Sequence, residues 1–294
     1  MTYEEFLHQV PEMAQEKLGE EYKVTVTRIA KNNGYSRDGL IIRKKGEEIV
    51  PVLYLDEAYG QIEDGMPMSK FVENILQLIA GRKEQPSISG ERFLDPSWVR
   101  KRVIWRLVHA EKNKELLKRV PFIPFLDLAI VFGIYVENNE SGLAVARIEN
   151  WHLRQWGMTV PDLYVMAREN SPLLMPAACL DAAHLFGEYG FSVPENEREQ
   201  HIFILTNTCQ CFGAGVILYD GVLEGLSERY GTDLLLLPVN VHGFAVIPKG
   251  KEYCDAIREA VQEHGRKEVE KEDFLSGHAY CYIRETKQIE MLKE

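Results

Sequence analysis

The sequence predicts an α+β fold, with a small N-terminal β-meander flanked by helices and a larger C-terminal domain built on a mixed α/β sheet. Two observations predict this class. Residues 22–55 form strand-length runs rich in β-branched residues and separated by turn residues, as in a meander. Residues 202–247 read as strand, turn, helix, strand, tight turn and strand, which is typical of a sheet that packs against helices.

The length and composition predict two soluble domains. A chain of 294 residues exceeds the common size of one domain, and 45% hydrophobic with 27% charged residues is an ordinary globular balance. Residues 81–97 mix Gly, Pro, Ser and charge without periodicity, so we place the boundary there. The expected domains are residues 1–85 and 97–294.

Net charge, hydropathy and cysteine usage limit the possible partners. A formal charge of −11 disfavours nonspecific binding to nucleic acid, because its field repels phosphate. No run approaches the roughly 20 apolar residues that span a bilayer, and the acidic N-terminus lacks the features of a secretory signal. Five scattered cysteines do not suggest a disulfide framework. We therefore expect a cytoplasmic protein with reduced cysteines and no membrane partner.

The N-terminal elements follow from local periodicity. Residues 3–18 place Phe6, Val10, Met13 and Leu18 near one helical face. Three strands are expected at residues 22–30, 40–44 and 49–55, and a second helix at residues 68–80, which Gly81 ends.

Residues 99–120 hold eight Lys or Arg against two Glu, and Val103, Ile104, Leu107 and Val108 keep helical spacing. The segment predicts an amphipathic helix that buries these apolar residues. A solvated outer face is the favoured interpretation, and a surface for phosphate or an acidic partner is the alternative. The residues of this basic surface are Arg100, Lys101, Arg102 and Arg106.

The C-terminal elements combine a hairpin with helices. Residues 127–136 and 143–148 form mostly apolar strands joined by a turn. A helix begins after Thr159, a candidate N-cap, and Pro172 is expected beyond its end. Residues 251–264 predict a last helix and residues 278–283 a final strand. Asp127, which leads into the first hairpin strand, is expected to be a cap or a buried partner of an arginine.

The strand-helix-strand unit also predicts a polar site. If residues 202–205 and 234–237 are neighbouring strands joined by a crossover helix, they are parallel and their carboxyl ends share an edge. Open α/β sheets bind ligands at such edges. The ligand-binding candidates at this edge are Thr206, Asn207, Thr208, Asn240 and His242.

Several blocks together resemble a known family. They are PVLYLDEAYGQIEDGM (51–66), residues 105–132, WGMTVPDLYVMAREN (156–170), LTN with GAGVILYDGVLEGL, and LLLLPVNVHGFAVIP. They are similar to an uncharacterised family of cytosolic proteins from anaerobic gut bacteria, known only as a domain of unknown function. The resemblance covers nearly the whole chain and implies no activity, substrate or cofactor.

The resemblance also bears on the turn that carries His242. In that family the turn is commonly an Ile-His-Glu-like tripeptide after serines, whereas here Val241, His242 and Gly243 follow Asn240. The resemblance implies that the histidine is retained and a carboxylate is missing, which disfavours catalysis. Cys209 and Cys211 are not part of the family pattern.

Two further motifs favour structural roles. Cys209-Gln210-Cys211 lacks the Cys-x₂₋₄-Cys spacing and the four ligands of structural zinc, so we expect turn residues and no metal. The segment TNTCQCFGAG (206–215) lacks both the dinucleotide fingerprint and a phosphate loop, so we expect no cofactor.

These observations favour a cytosolic binding or regulatory module with a protein or small-molecule partner. The alternative is a hydrolase or nucleotide-modifying enzyme that uses His242 with Asn207 and Asn240. The sequence disfavours an enzyme, because it contains no recognisable complete set of catalytic residues. Convergence of these three side chains in a concave pocket would favour the enzyme, and a flat or filled edge would favour binding.

Overall fold

The computed structural model describes residues 1–46, 50, 52–81, 90–139, 142–181, 203–250 and 271–292. The α+β class is confirmed. The chain divides into two compact units, one of Met1–Lys31 with Tyr35–Pro96 and the other of Asn32–Gly34 with Ser97–Glu294. The helix expected at residues 251–264, Cys254, residues 82–89 of the expected boundary and part of the third expected strand lie outside the described residues.

The first unit is a meander covered by helices. Its elements are α1 (Tyr3–Leu18), β1 (Tyr22–Ala30), β2 (Ser36–Lys44), β3 (Val52–Tyr54), α2 (Leu55–Glu63), α3 (Met68–Gly81) and α4 (Gly90–Leu94). The three strands pair antiparallel in chain order. Helix α1 begins at a capping box, in which Thr2 and Glu5 satisfy each other's backbone amides.

The core of this unit lies between the helices and β2. Phe6 and Val10 of α1 are fully buried, and Phe6 packs against Phe71 of α3 with ring centroids 5.5 Å apart. The remaining buried members of the cluster are Leu40, Ile42, Leu55, Ala58 and Ile75. The apolar side chains repeat about every 3.6 residues in the helices and every second residue in the strand. These apolar faces therefore pack against each other in one layer.

The second unit contains two antiparallel sheets. Its elements are α5 (Pro96–Arg100), β4 (Val103–His109), α6 (Lys114–Leu117), β5 (Phe122–Phe125), β6 (Leu128–Asn139), β7 (Gly142–Arg147), α7 (Asn150–Trp156), α8 (Val160–Leu174), β8 (Ala177–Asp181), β9 (Phe203–Asn207), a 3₁₀ helix (Gly213–Leu218), α9 (Val222–Tyr230), β10 (Leu234–Asn240), β11 (Gly243–Pro248), β12 (Tyr280–Ile283) and β13 (Gln288–Met291). Short 3₁₀ turns lie at Asn32–Gly34 and Glu111–Asn113.

The long strand β6 pairs with β4, β5 and β7 in a four-stranded sheet. The six-stranded sheet has the order β13-β12-β10-β11-β9-β8. Every described pairing in it is antiparallel, so the expected mixed sheet is wrong.

The expected basic helix at residues 99–120 is wrong. Residues Val103–His109 form strand β4, and only short helical turns follow it. Val103, Ile104 and Leu107 are nevertheless buried, as expected. Arg100 and Lys101 are exposed, whereas Arg102 is partly buried with its guanidinium 4.6 Å from the centre of the Trp98 ring. The three arginines and one lysine of the predicted surface therefore do not share one solvated face, because Arg106 is also partly buried.

Helix α8 illustrates what local signals predict. Thr159 is its N-cap and forms a capping box with Asp162, as the sequence indicates. Pro172 lies inside the helix instead of beyond its end. The helix packs on β4, where Ser171 accepts a hydrogen bond from the backbone amide of Trp105 at 3.1 Å.

Trp105 connects β4 to the turn that precedes α9. Its side chain is 1% exposed, and its indole N–H donates to the carbonyl oxygen of Gly215 at 3.2 Å. Gly215 fits this contact because an added Cβ would lie 3.2 Å from the indole ring. A buried indole normally finds a hydrogen-bond acceptor, and here the acceptor is the 3₁₀ helix that leads away from Cys211.

Asp127 joins the two sheets without an arginine. Its carboxylate accepts hydrogen bonds from Ser276 at 2.7 Å and from Tyr280 at 2.5 Å. Asp127 is only partly buried, and the arginine partner that we expected is not found among the described residues. Two hydroxyl groups bind the carboxylate instead. Within the same described part of the chain, no helix combines the length and the apolar character that crossing a membrane requires.

We predict that Leu107→Ala lowers the free energy of unfolding by about 2–5 kcal/mol, because Leu107 is 1% exposed and its truncation leaves a cavity. Reversing the exposed Arg100 and Lys101 to Glu is the control and changes stability by about 1 kcal/mol or less. Denaturant unfolding measures both. A larger loss from the charge reversal than from Leu107→Ala contradicts this orientation of β4.

Candidate functional site

The predicted polar edge exists, although its strands are arranged differently. Strand β11 lies between β9 and β10 and is antiparallel to both, so β9 and β10 run in the same direction without being neighbours. The prediction that they pair directly is therefore wrong. The ends of β9 and β10 and the start of β11 still lie at one edge, and His242 occupies the turn between β10 and β11.

Asn207 organises the loop that leaves β9. Its fully buried side chain accepts hydrogen bonds from the backbone amides of Cys209 at 3.0 Å and Cys211 at 3.4 Å. Its amide group donates to the carbonyl oxygen of Cys211 at 2.8 Å. One side chain thus satisfies backbone groups that have no strand partner, which leaves it unable to reach a ligand.

Two other predicted ligand residues, Thr206 and Asn240, also bind backbone groups with their side chains. Thr206 donates its hydroxyl to the carbonyl oxygen of His242 at 2.7 Å, and Asn240 accepts from the backbone amide of His242 at 2.8 Å. Thr208 is exposed and its backbone amide donates to the carbonyl oxygen of Pro176. Asn207 and Asn240 therefore support the turn and do not converge with His242 on a common pocket.

The backbone on both sides of Cys211 is strained. Gln210 has φ of 50° and Phe212 has φ of 55°, a left-handed conformation that costs non-glycine residues about 1 kcal/mol or more each. Gly213 packs so closely that an added Cβ would collide with the hydroxyl of Thr206 and the carbonyl oxygen of His242. This compact loop holds the partly exposed Cys211 beside the turn of His242.

The imidazole of His242 has partners on both sides. Its Nε2 lies 3.4 Å from Oδ1 of Asp273, and its Nδ1 accepts the backbone amide of Phe212 at 3.1 Å. Cys211 directly precedes Phe212 in the chain, and its side chain is one of the groups that raise the pKa of the ring. The Phe212 ring stacks on the imidazole with centroids 6.0 Å apart. Cys211, His242 and Asp273 thus lie at the same edge of the sheet, and we call them the cysteine–histidine–aspartate set.

Asp273 supplies the carboxylate that the turn lacks. Its carbonyl oxygen accepts the backbone amide of Val241 at 2.8 Å, which fixes the segment against the turn. The side chains of Asp273 and His242 are 35% and 31% exposed, so the pair is reachable from solvent. Position 243 would accommodate a side chain poorly, because an added Cβ at Gly243 would lie 3.0 Å from the carbonyl oxygen of Leu205.

The two partners of the ring raise the pKa of His242 from its ordinary value of 6.5 to about 9. The hydrogen bond to Asp273 is the largest cause and the hydrogen bond to Cys211 is the second, while burial opposes both. The Phe212 amide favours the neutral ring, because it needs an unprotonated Nδ1 as acceptor. A neutral hydrogen bond contributes about 1 kcal/mol, which is less than a charge-assisted contact with a carboxylate.

The set was missed in the sequence for physical reasons. Asp273 and Cys211 belong to segments that only the tertiary fold brings to His242, so no short spacing connects them. The one available signal was the position of Cys211 in a glycine-rich turn that precedes a helical segment. Among the described residues, no group of three or more His, Cys, Asp or Glu side chains could hold a metal ion.

Together the fold and these contacts define an α+β protein with a cysteine–histidine–aspartate set at the edge of an antiparallel sheet. A model of one protein family, described as "Family of unknown function (DUF5688)", matches residues 3–284, and the chain belongs to this family. Searches of curated proteins and of solved structures gave no match. Family membership therefore agrees with the resemblance and leaves the activity open.

We predict that Asp273→Asn lowers the pKa of His242 from about 9, because it removes the carboxylate that stabilises the charged ring. A raised folded-state pKa stabilises the fold fully below pH 6.5, and this stabilisation disappears as the pH rises through 9. The stability difference between wild type and Asp273→Asn should therefore be largest in mild acid. NMR titration and unfolding at several pH values measure both effects. Asp220→Asn, on the surface, is the control, and equal His242 pKa values in wild type and Asp273→Asn refute the pairing.

A second prediction concerns the close approach at Gly213. Gly213→Ala should cost about 1–3 kcal/mol, as overpacked sites do, because the new methyl group meets Thr206 and the His242 carbonyl. Gly225→Ala, inside α9 with open space around it, is the matched control and should stabilise by about 0.5–1 kcal/mol. Thermal unfolding of the two variants tests the packing, and equal effects would show that the loop tolerates a side chain.

Proposed function

We propose that this protein is a thiol-dependent hydrolase that cleaves an acyl bond with Cys211 as nucleophile and His242 as its base. The observation that carries the proposal is the imidazole of His242, which contacts the Asp273 carboxylate through Nε2 and, through Nδ1, the backbone amide that directly follows Cys211. Nucleophile, base and orienting carboxylate within reach of one another are the arrangement that thiol catalysis requires.

Each of the three residues has a separate task. The Asp273 carboxylate faces Nε2–H, which keeps the proton on that nitrogen and leaves Nδ1 directed towards the loop of Cys211. His242 takes the thiol proton and becomes imidazolium, which the carboxylate stabilises. Protonation of Nδ1 releases the Phe212 amide, which then is a free backbone donor beside the nucleophile. Such a donor stabilises the oxyanion that forms on the acyl oxygen.

The reaction proceeds in two balanced steps. In the first, the Cys211 thiolate forms a bond to the acyl carbon, the bond to the leaving group breaks, and imidazolium returns its proton to that group. In the second, His242 removes a proton from water, hydroxide attacks the thioester, and the carboxylic acid product leaves as the thiol is restored. The hydrogen bonds of Asn207 hold the strained residues Gln210 and Phe212, and with them the thiol, in position throughout.

A binding or regulatory module in the cytoplasm of a bacterium is the second candidate. It is favoured by the engagement of Thr206, Asn207 and Asn240 with backbone groups, which leaves few free polar side chains at the edge. Both candidates fit a reducing compartment, because four cysteines of the described residues carry free thiols.

Hydrolysis of nitrophenyl esters, acyl thioesters and acyl anilides tests the proposal. Cys211→Ser should abolish turnover, and His242→Ala should lower kcat by roughly 10²–10⁴, as loss of a general base does. Cys209→Ser is the matched control, because it removes a thiol from the same loop and leaves the set intact. Trapped acyl adducts on Cys211 should be detectable by mass spectrometry.

Two results together would overturn the hydrolase proposal. If the folded wild type turns over none of these substrates, and iodoacetamide alkylates Cys211 at the same rate in wild type and in His242→Ala, the histidine does not activate the thiol. The binding module is then the better description. Circular dichroism of each variant shows that a lost activity is not a lost fold.

A further inference from the structure

Arg106 lies beside the cysteine–histidine–aspartate set without a counterion in the described part of the chain. Its guanidinium carbon is 5.0 Å from the centre of the Phe212 ring, whose other neighbour is the His242 imidazole. The guanidinium, the phenyl ring and the imidazole therefore follow one another along the edge. Among the described residues, no carboxylate pairs with Arg106, and the cation–π contact is its one close interaction.

The surroundings of Arg106 are unfavourable to a lone cation. Burial is the largest cause that lowers its pKa to about 10, and the positive charge of Arg147 adds to this effect. Cys211 directly precedes Phe212 in the chain, so the thiol belongs to the same short loop as the ring that the guanidinium contacts. Arginine in folded proteins normally satisfies its donors with carboxylates or carbonyl groups, so unused donors next to a nucleophile indicate a ligand.

We propose that Arg106 forms an anion subsite beside Cys211 and binds a carboxylate group of the substrate. This inference rests on the proposed function, because it defines the substrate as an acyl compound with a second, ionised carboxyl group. The thiol attacks the acyl carbon, while the guanidinium holds the carboxylate and orients the chain between them.

A carboxylate fits this position better than a phosphate, because one guanidinium balances the single charge of a carboxylate, whereas a phosphate monoester carries about −1.5 to −2 at neutral pH. The two parallel N–H donors of the guanidinium also match the two oxygens of a flat carboxylate. The partial exposure of Arg106 gives a small anion a route from solvent. A lysine would keep the charge and lose this two-point geometry.

Acetate titration tests the subsite without requiring catalysis. In ¹⁵N spectra of the full-length Cys211→Ser protein, acetate should shift the Nε–Hε resonance of Arg106 in a saturable manner at constant ionic strength, while that of the exposed Arg100 stays in place. Chloride at the same concentration is the salt control. A linear response shared by both arginines, or tighter saturation by inorganic phosphate than by acetate, overturns the carboxylate subsite.

Alkylation of wild-type protein tests the same subsite next to the thiol. Iodoacetate carries a carboxylate and iodoacetamide does not, so the ratio of their rates at Cys211 reports on recognition of the anion. Arg106→Gln should lower this ratio by about tenfold, as expected from the loss of a charge-assisted hydrogen bond. Arg100→Gln, which makes the same change of charge at an exposed position, should leave the ratio as in wild type.

The outcomes separate the two proposals. If His242→Ala slows alkylation by both reagents and Arg106→Gln leaves the ratio unchanged, the thiol site stands and the subsite is wrong. If acetate saturates Arg106 but Cys211 reacts independently of His242, the anion site stands and the hydrolase is wrong.

Discussion

The loop that leaves β9 depends on the buried side chain of Asn207. Between Asn207 and Gly213 the backbone has no strand partner, and one carboxamide replaces that ladder through two accepted hydrogen bonds and one donated hydrogen bond. Without these bonds the left-handed residues on both sides of Cys211 would relax to ordinary conformations. The position of the thiol relative to His242 is thus a consequence of a residue that touches no ligand.

The second support of the site comes from the four-stranded sheet. Two consecutive residues of β4 reach the same turn, Trp105 through its hydrogen bond to Gly215 and Arg106 through its contact with Phe212. A misplaced β4 would therefore disturb both the packing of the 3₁₀ helix and the charge beside the thiol. Trp105 is itself held by Ser171 of α8, so the helix, the sheet and the loop form one rigid support.

The sequence correctly predicted those elements of the fold that depend mainly on interactions between neighbouring residues. The N-cap at Thr159, the extent of α1 and the hairpin of β6 and β7 follow from neighbouring residues. The segment around Val103 was wrongly predicted as a helix because four apolar positions fit both periods. Its β-branched residues and the short apolar run at Val103–Val108 favour a buried strand, and the charged flanks obscured this. The insertion of β11 between β9 and β10 is a nonlocal pairing that no local pattern contains.

The chemistry of the candidate site also depends on contacts between residues that are distant in the sequence. His242 was predicted from the residue alone, but its role depends on Asp273, which the backbone hydrogen bond to Val241 and the network of Asp127 with Ser276 and Tyr280 hold in place. Burial and the hydrogen bond to Asp127 raise the pKa of Tyr280 far above neutrality, so this anchor remains intact over the range in which His242 titrates. The segment that carries Asp273 is therefore anchored by a tyrosine hydroxyl that does not ionise together with His242. In the mechanism we propose, this fixed carboxylate keeps the imidazole in place while the ring exchanges a proton with Cys211, which is what a general base requires.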